Sequence, residues 1–300
     1  MHYYSRMADS SRRQFLQAVA TGAAALPFVG DTRTLGAAPK HNLPGTLGLE
    51  LYTVRHLMAK DVPGTLKMVK GWGFDDVEGG VMEGKTGAET KALLDQHGLR
   101  MQSMLTGYET LRDKLSSVVK DAKDMGCSYV GTAWIPHQGP FTRQHVDQAA
   151  TDFAAWGKTL AGEGLQFFYH VHGYEFGTSP DGTLLDTLMK QSPPKDVAFQ
   201  MDVFWVMRGG GDPAALLTKY PGRFLLMHLK DIAKGTALGD PTGSAPDETS
   251  VPLGQGQVNW PAVLKAAKAG GTKMFYIEDE HPKAEEQVPV TLKYLERLTV

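Results

Sequence analysis

Three residues with metal-binding side chains each close a short apolar run of the chain. Asp202, His228 and Glu278 stand at the carboxyl ends of runs that are typical of strands buried on both faces. Because the carboxyl ends of parallel strands meet at one face of a barrel or sheet, we expect these side chains to converge. One imidazole with two carboxylates suits Mn²⁺, Co²⁺, Zn²⁺ or Mg²⁺ rather than Ca²⁺ alone. The pattern predicts a metal-dependent enzyme.

A fourth run of the same kind, Phe167–Phe176, offers three more candidate ligands. His170 and His172 are two residues apart and therefore face the same side of an extended strand, so one could bind the metal while the other contacts substrate. Glu175 lies a few residues later, on the turn into the following loop. If it folds back, the site contains two Glu, one Asp and one His. We predict Glu175 as the fourth ligand, with His170 and His172 as the alternatives.

The elements that must position these side chains alternate along the whole chain. The strand candidates are Leu47–Tyr52, Asp75–Glu78, Arg100–Met104, Tyr129–Trp134, Leu165–His170, Val197–Asp202, Phe224–His228 and Met274–Glu278. The helical patterns are Val62–Trp72, Gly87–His97, Thr110–Met125, Arg143–Gly162, Gly182–Gln191, Pro213–Lys219, Trp260–Ala269 and Ala284–Leu298. Eight such units predict an α/β fold with a single closed (β/α)₈ barrel. An open doubly wound sheet is the alternative, but no Gly-x-Gly-x-x-Gly follows the first strand.

One connection is longer than an ordinary loop of this fold. Ala233–Val258 follows the seventh strand and is rich in Gly, Pro, Ser and Thr. A loop of this length over the carboxyl-terminal face of a barrel is a candidate lid. The alternative is an insertion without a function.

The first 38 residues are typical of an export signal. Ser11–Leu16 contains a twin-arginine pattern, an apolar stretch follows it to about Val29, and Gly36–Ala38 offers a cleavage point. The apolar stretch is shorter than the roughly 20 residues that a membrane span needs. We therefore predict a twin-arginine signal peptide and linker at residues 1–38, a catalytic barrel at residues 39–300, no membrane span, and a periplasmic location.

The overall charge argues against nucleic acid as a partner. The chain carries 31 Lys and Arg against 33 Asp and Glu, a net charge of −2. Such a chain has no excess of positive charge to attract phosphate backbones or anionic membranes. Its single cysteine, Cys127, cannot form an internal disulfide, and we expect a buried thiol there rather than a nucleophile.

The chain resembles the xylose isomerase-like TIM-barrel family of sugar phosphate isomerases and epimerases over about residues 46–298. The segments that carry the resemblance are Gly48–Arg55, Gly73–Glu78, Tyr169–Phe176, Met201–Trp205, His228–Asp231 and Ile277–Glu280. The resemblance implies a divalent ion held by Glu, Asp, His and Glu from the last four strands, of which the last three correspond to Asp202, His228 and Glu278. His170 stands where the first Glu often lies. Family members often carry a His at the end of the third strand, where this chain has Ser103–Thr106.

The chemistry that the resemblance implies is proton transfer next to a carbonyl group. A divalent ion that chelates a carbonyl and a neighbouring hydroxyl stabilises the enediolate formed when the α-proton leaves. Glu175 and Glu278 are the predicted acid–base groups, and His170 or His172 could serve instead. Lys230 is predicted to bind a substrate oxygen or to stabilise the enediolate, with a plain surface lysine as the alternative.

Three further residues are candidates for contact with the substrate. Glu78 ends the second strand, and we predict that it binds a sugar hydroxyl or anchors a catalytic His. Arg55 follows the first strand and is predicted to bind substrate as well. Trp134 comes just after the fourth strand and could stack on a sugar ring, although core packing is an equal alternative.

The leading hypothesis is an exported, divalent-metal-dependent isomerase or epimerase that acts on a sugar or keto-sugar through an enediolate. One alternative is a metal-dependent lyase or hydrolase of 3-keto-glycosides or inososes, and another is a carbohydrate-binding barrel without catalysis. A nuclease like the endonuclease branch of this fold is disfavoured, because it needs more His ligands and a basic track for DNA. The predicted partner is a small carbohydrate, and homo-oligomerisation is left open.

Overall fold

Eight parallel strands close into one barrel. A computed structural model describes residues 40–180 and 182–299, and it confirms the predicted (β/α)₈ architecture. The strands are β1 Thr46–Glu50, β2 Asp76–Gly79, β3 Arg100–Leu105, β4 Tyr129–Thr132, β5 Gln166–His170, β6 Val197–Asp202, β7 Phe224–Leu229 and β8 Met274–Ile277. Pairing of β1 with β8 closes the barrel. The predicted signal peptide and linker, residues 1–38, lie outside the described residues.

Helices fill the connections between the strands. They are α1 Arg55–Met58, α2 Val62–Gly71, α3 Gly87–Gln96, α4 Tyr108–Met125, α5 Arg143–Gly162, α6 Leu184–Gln191, α7 Val203–Arg208, α8 Pro213–Lys219, α9 Trp260–Gly270 and α10 Ala284–Arg297. Helix α7 was not predicted, because its apolar sequence continues that of β6. The Asp202 carboxylate accepts a hydrogen bond from the backbone N–H of Trp205 (3.0 Å) and so begins this helix. Within the described residues no helix has the length and apolar character needed to cross a bilayer.

Alternation along β5–β8 sends every second side chain into the barrel. The amino-terminal part of this interior is an apolar floor made of Phe168, Ala198, Leu226, Met274 and Tyr276. Further along the same inward faces, towards the carboxyl ends, lie His170, Gln200, Asp202, His228 and Glu278. The residues between them, such as Phe199 and Leu229, pack outward against the helices. One face of each strand therefore carries both the floor of the barrel and the polar groups above it.

Two glycines make room for the rings of this floor. A Cβ at Gly48 would lie 2.6 Å from the Tyr276 ring, and a Cβ at Gly131 would lie 2.6 Å from both the ring and the carbonyl oxygen of Phe168. The Tyr276 hydroxyl donates to Asp76 (3.0 Å), which ties the floor to β2. The ring packing thus depends on the absence of side chains on the facing strands.

The long connection after β7 is folded at its base. Asp231–Ile232 and Ser250–Val251 pair as short antiparallel strands. The Asp231 carboxylate accepts hydrogen bonds from the N–H of Gly254 (2.9 Å) and the indole of Trp260 (2.8 Å). These bonds hold both ends of the segment against the barrel.

Two arginines fasten the outer part of the same segment. Arg208 on α7 pairs with Asp240, and Arg55 at the start of α1 pairs with Asp247 (2.8 Å). Between the two pairs Gly243 is buried against the turn that follows β5. The segment therefore crosses the carboxyl-terminal face of the barrel as a covering loop, in the position expected of a lid.

Gly131→Ala is expected to destabilise the barrel. The added methyl group has no space beside Phe168, and overpacking of this kind costs about 1–3 kcal/mol of unfolding free energy. Gly162→Ala is the matched control, because a Cβ there would meet nothing within 4 Å and alanine favours the helix. Chemical denaturation of both variants measures the difference. Unchanged stability of Gly131→Ala would contradict this packing.

Candidate metal centre

The structure brings Asp202, His228 and Glu278 together at the carboxyl-terminal face of the barrel. The register of β6 and β7 places Asp202 beside His228, and Glu278 follows β8 directly. His228 Nδ1 lies 2.9 Å from Glu278 Oε2 and 3.8 Å from Asp202 Oδ2. All three residues are buried, with exposures of 0%, 1% and 7% in that order. The three side chains form the core of the site.

His170, the last residue of β5, is the fourth member of this group. Its Nε2 lies 3.8 Å from Asp202 Oδ2, and donor atoms of His170, Asp202 and His228 lie within 4.8 Å of one another. Zinc lies about 2.0–2.2 Å from nitrogen and oxygen ligands, so one ion could reach both atoms of a 3.8 Å pair. We refer to His170, Asp202, His228 and Glu278 as the ligand cluster.

Glu175 lies outside the ligand cluster. Its carboxylate accepts hydrogen bonds from the Tyr169 hydroxyl and from the backbone N–H of His172 (3.0 Å), and so it fastens the turn that follows β5. Gly173 gives this turn a left-handed conformation, with φ of 90°. The choice of Glu175 as fourth ligand is not supported, because its oxygens are engaged by this turn. His170 lies in the place that the prediction gave to Glu175.

Asp202 has one carboxylate oxygen that no hydrogen-bond donor of the described residues reaches. Its Oδ1 accepts from the N–H of Trp205, whereas its Oδ2 is buried without a hydrogen-bond partner and lies 4.0 Å from the Lys230 ammonium. Burial raises the pKa of Asp202 to about 8. This oxygen faces ring nitrogens of His170 and His228, each 3.8 Å away. A divalent cation would complete such an environment, so the residues fit a metal ion.

The two histidines of the cluster are oriented by hydrogen bonds in which Glu78 and Gln200 are the acceptors. Glu78 accepts from the Ser103 hydroxyl, from Nε2 of His228, and from Nε2 of Gln200 (2.9 Å). Gln200 Oε1 lies 2.8 Å from His170 Nδ1. Sequence reasoning missed Gln200, because a neutral amide inside an apolar strand gives no chemical signal. These contacts use both oxygens of Glu78, so a sugar-binding role is not supported and the residue anchors His228 instead.

Lys230 is a buried ammonium beside the cluster. Its Nζ lies 2.6 Å from Glu280 Oε1 and 3.5 Å from Glu278 Oε2. Burial alone would lower the pKa of Lys230, but Glu278 and Glu280 outweigh it and raise the pKa. Burial likewise opposes the charge of His228, yet Glu78 and Glu278 raise the pKa of His228 well above its ordinary value. Lys230 is therefore a fixed positive charge rather than a proton acceptor, and it is not a surface lysine.

Glu50, the last residue of β1, is a further buried acid that sequence reasoning missed. Its Oε1 accepts from the N–H of Tyr52 (3.2 Å), and its Oε2 is buried without a hydrogen-bond partner among the described residues. Donor atoms of Glu50, Glu78 and His228 lie within 4.8 Å of one another. Burial and the neighbouring Glu78 raise the pKa of Glu50 well above its ordinary value. The available signal was its spacing of two residues from the inward-facing Gly48.

Arg55 contacts the rim and the covering loop. Its guanidinium pairs with Asp247 and donates to the carbonyl oxygens of Tyr52 (3.1 Å) and Glu280 (3.1 Å). The structure therefore gives Arg55 a role in fastening the loop. Its contact with substrate stays a prediction.

His172 and Trp134 lie in an aromatic group next to the cluster. Trp134 stacks on His137 with ring centroids 4.9 Å apart, and its edge meets His172 at 5.4 Å. His172 stacks on Trp205 (4.5 Å) and lies 5.6 Å from the ring of His170. Burial lowers the pKa of His172 well below its ordinary value, so its imidazole is neutral. These rings form an apolar wall beside the ligand cluster.

Comparisons with known proteins give the same fold. A family profile described as xylose isomerase-like TIM barrel matches residues 66–298. Inosose dehydratase of Geobacillus kaustophilus (strain HTA426) is 27% identical over 168 residues, which cover 47% of this chain and 53% of that protein, so the chain spans about half the length of this curated relative. A crystal structure of a sugar phosphate isomerase/epimerase from Parabacteroides distasonis ATCC 8503 has a TM-score of 0.68 at 23% identity and covers 90% of this chain and 98% of that one. The IolI protein with a bound zinc atom has a TM-score of 0.62 at 15% identity and covers 83% and 96%. The likeness to these two structures shows the fold alone.

Glu175→Gln separates the two roles considered for this residue. Burial raises the pKa of Glu175 to about 7 from a model-compound value of 4.5. The folded state therefore holds this proton where the unfolded chain has released it, and the stability that it contributes is lost as the pH rises through about 7. Relative to the wild type, the permanently neutral variant is expected to gain up to about 3 kcal/mol between about pH 5 and about pH 8, measured by urea unfolding.

Metal binding by the same variant tests the ligand prediction directly. Because Glu175 lies outside the ligand cluster, Glu175→Gln is expected to bind divalent ions as tightly as the wild type in isothermal titration calorimetry. A complete loss of ion binding in a folded variant would show that Glu175 is a ligand after all.

Proposed function

The chain belongs to the xylose isomerase-like TIM-barrel family, and from this premise we propose that it is a divalent-metal-dependent isomerase or epimerase of a sugar or keto-sugar. The observation that carries the proposal is the buried Oδ2 of Asp202, which faces ring nitrogens of His170 and His228 at 3.8 Å each. The proposed ligands are these three residues and Glu278. Mn²⁺, Co²⁺, Zn²⁺ and Mg²⁺ are the candidate ions.

Among the predicted acid–base groups, His172 is best placed to accept a proton. Glu175 is engaged in the turn after β5, and His170 belongs to the ligand cluster. Glu278 also belongs to the ligand cluster, where its Oε2 lies 2.9 Å from His228 Nδ1. His172 is neutral and lies directly beside the cluster.

The proposed mechanism divides the work among a few side chains. A divalent ion bound by the cluster would act as a Lewis acid towards a carbonyl and its neighbouring hydroxyl. His172 removes the proton from the carbon atom next to the carbonyl. The Lys230 ammonium donates hydrogen bonds to the substrate oxygen on which negative charge develops. Return of the proton to the adjacent carbon completes isomerisation, and its return to the opposite face of the same carbon completes epimerisation.

Elimination of a β-hydroxyl from the same anion is the second candidate reaction. The specific observation in its favour is the similarity to the inosose dehydratase of Geobacillus kaustophilus. Water would leave as the C–O bond breaks, with the proton on the departing oxygen supplied by the group that took the α-proton. The buried position of Lys230 suits both reactions, because each builds up negative charge on the same oxygen.

We also propose that the protein works in the periplasm, on the strength of the twin-arginine pattern at Ser11–Leu16. Phosphorylated sugars are scarce outside the cytoplasm. The proposed substrates are therefore unphosphorylated or oxidised sugars, including keto-sugars and inososes.

Proton exchange in deuterated water tests the proposed function. The metal-loaded protein is incubated with ketoses, inososes and 3-keto-glycosides, and the sugars are followed by proton NMR. Deuterium next to the carbonyl without loss of sugar is the expected result. Release of water or an aglycone with a conjugated carbonyl product would identify elimination. Tight ion binding with neither exchange nor an elimination product from any of these substrates would contradict both reactions and favour a binding barrel.

Asp202→Asn tests the metal site without removing the cap of α7, because an amide oxygen can still accept from the N–H of Trp205. The variant loses the negative charge at the orphaned oxygen. Loss of a residue that hydrogen-bonds a metal ligand lowers metal affinity about 10–100-fold. Because Asp202 is itself a proposed ligand, the affinity of the variant for Zn²⁺ or Co²⁺ is expected to fall by more than that. Asp212→Asn is the matched control, since Asp212 caps α8 through Ala215 (3.1 Å) and lies outside the cluster. Equal ion affinity in both variants would contradict the assignment.

A further inference from the structure

Gln200 is the buried residue that connects the two halves of the ligand cluster. It lies on β6 two residues before Asp202, and its Cα pairs in register with that of His170 on β5. Its amide oxygen is 2.8 Å from His170 Nδ1, and its amide nitrogen is 2.9 Å from each oxygen of Glu78. The side chain is fully buried. One amide therefore contacts His170 directly and reaches His228 through Glu78.

The direction of each hydrogen bond in this chain follows from the chemistry of its members. The Glu78 carboxylate only accepts hydrogen bonds, so the Gln200 NH₂ group must face it. The Gln200 carbonyl oxygen then faces His170, and since this oxygen cannot donate, Nδ1 of His170 must carry the proton. The second ring nitrogen, Nε2, is left with its lone pair and points towards Asp202 Oδ2 at 3.8 Å. At 3.8 Å this contact is too long for a hydrogen bond, whereas a cation between the two atoms could bind both of them.

We infer that Gln200 is a positioning residue that selects the Nδ1–H tautomer of His170 and so makes this histidine a nitrogen ligand of the metal. The inference rests on the proposed metal-dependent function and deepens it. The cluster then offers two imidazoles and two carboxylates, a set that favours zinc and cobalt over magnesium. Glu78 completes the arrangement, because the same carboxylate that orients Gln200 also accepts from Nε2 of His228.

A purely structural role for Gln200 would be to satisfy a buried carboxylate. The chain offers a matched control for that role in Gln102, whose amide donates to the buried Asp76 (2.7 Å) in the floor of the barrel. Gln102→Met and Gln200→Met each remove one amide from a buried carboxylate and conserve side-chain length. Only Gln200→Met removes the acceptor for His170.

The tautomer of His170 is measured on the metal-free full-length protein by ¹⁵N NMR of labelled histidines, with His170→Asn used to assign the signal. The wild type and Gln102→Met are expected to show the Nδ1–H form, and Gln200→Met a shift towards the Nε2–H form. Gln200→Glu keeps an acceptor for Nδ1–H and is expected to restore the wild-type form. An Nε2–H tautomer in the wild type overturns the inference, even if Gln200→Met does not fold.

Metal binding gives the second measurement. In Gln200→Met, affinity for Zn²⁺ is expected to fall about 10–100-fold, the usual effect of losing an outer partner of a ligand, and the visible absorption bands of the Co²⁺-loaded protein are expected to change. Gln102→Met should match the wild type in both. If Gln200→Met binds Co²⁺ with unchanged affinity and spectrum, the inference fails while the proposed function stands. If the wild type binds no ion, the proposed function fails, and the NMR result alone decides whether Gln200 sets the tautomer.

Discussion

The burial of acidic groups at the mouth of the barrel is the constraint on which the rest of this structure depends. The acids buried there are Glu50, Glu78, Asp202 and Glu278. The positive charge of the Lys230 ammonium lies 3.5 Å from Glu278 Oε2 and 4.0 Å from Asp202 Oδ2. Carboxylates withdrawn from water are costly unless they are paired, bonded or bound to a metal. Glu78 is satisfied by three donors, whereas Asp202 and Glu50 each keep an oxygen that no hydrogen-bond donor of the described residues reaches. A divalent cation would offset this cost at Asp202, and this supports the proposal of a metal centre.

The barrel supports this concentration of charge by placing apolar packing and polar site residues at different levels along each strand. Inward residues near the amino-terminal ends form the apolar floor, which is tightly packed because Gly48 and Gly131 leave room for the rings of Tyr276 and Phe168. Two or four residues further along the same faces the side chains become polar. The strand register then fixes which groups meet, as with Asp202 beside His228. Rigid strands rather than loops hold three of the four cluster residues, which favours a precise geometry.

The sequence was informative about the strands and much less so about the contacts between distant strands. Apolar runs and their polar ends located β5–β8 to within two residues and singled out Asp202, His228 and Glu278. The position of Glu175 outside the ligand cluster could not be predicted, because the path of the turn after β5 depends on Gly173 and on the hydrogen bond that Tyr169 donates to Glu175. Residue type and spacing do not predict such local geometry.

The sequence could not identify specific partners across the barrel, since it predicted that Glu78 binds a sugar hydroxyl or anchors a catalytic His without saying which His. Glu78 and His228 are separated by 150 residues, and their contact depends on barrel closure and on the length of each side chain. Gln200 was overlooked for a related reason, since a buried amide has meaning only once both of its neighbours are known. Arg55 was predicted to bind substrate after the first strand, but its partner Asp247 belongs to a loop whose path the sequence did not predict.

The covering loop has a consequence for how molecules reach the centre. Gly243 lies so close to Tyr174 and His172 that a Cβ there would be 2.8 Å from the first and 3.2 Å from the second. The covering loop is held by the Arg55–Asp247 and Arg208–Asp240 ion pairs, which are both partly exposed to water. Ion pairs in that setting are individually weak. Because these pairs hold the covering loop only weakly, any side chain at position 243 would displace the loop from the turn after β5 and change access to the ligand cluster.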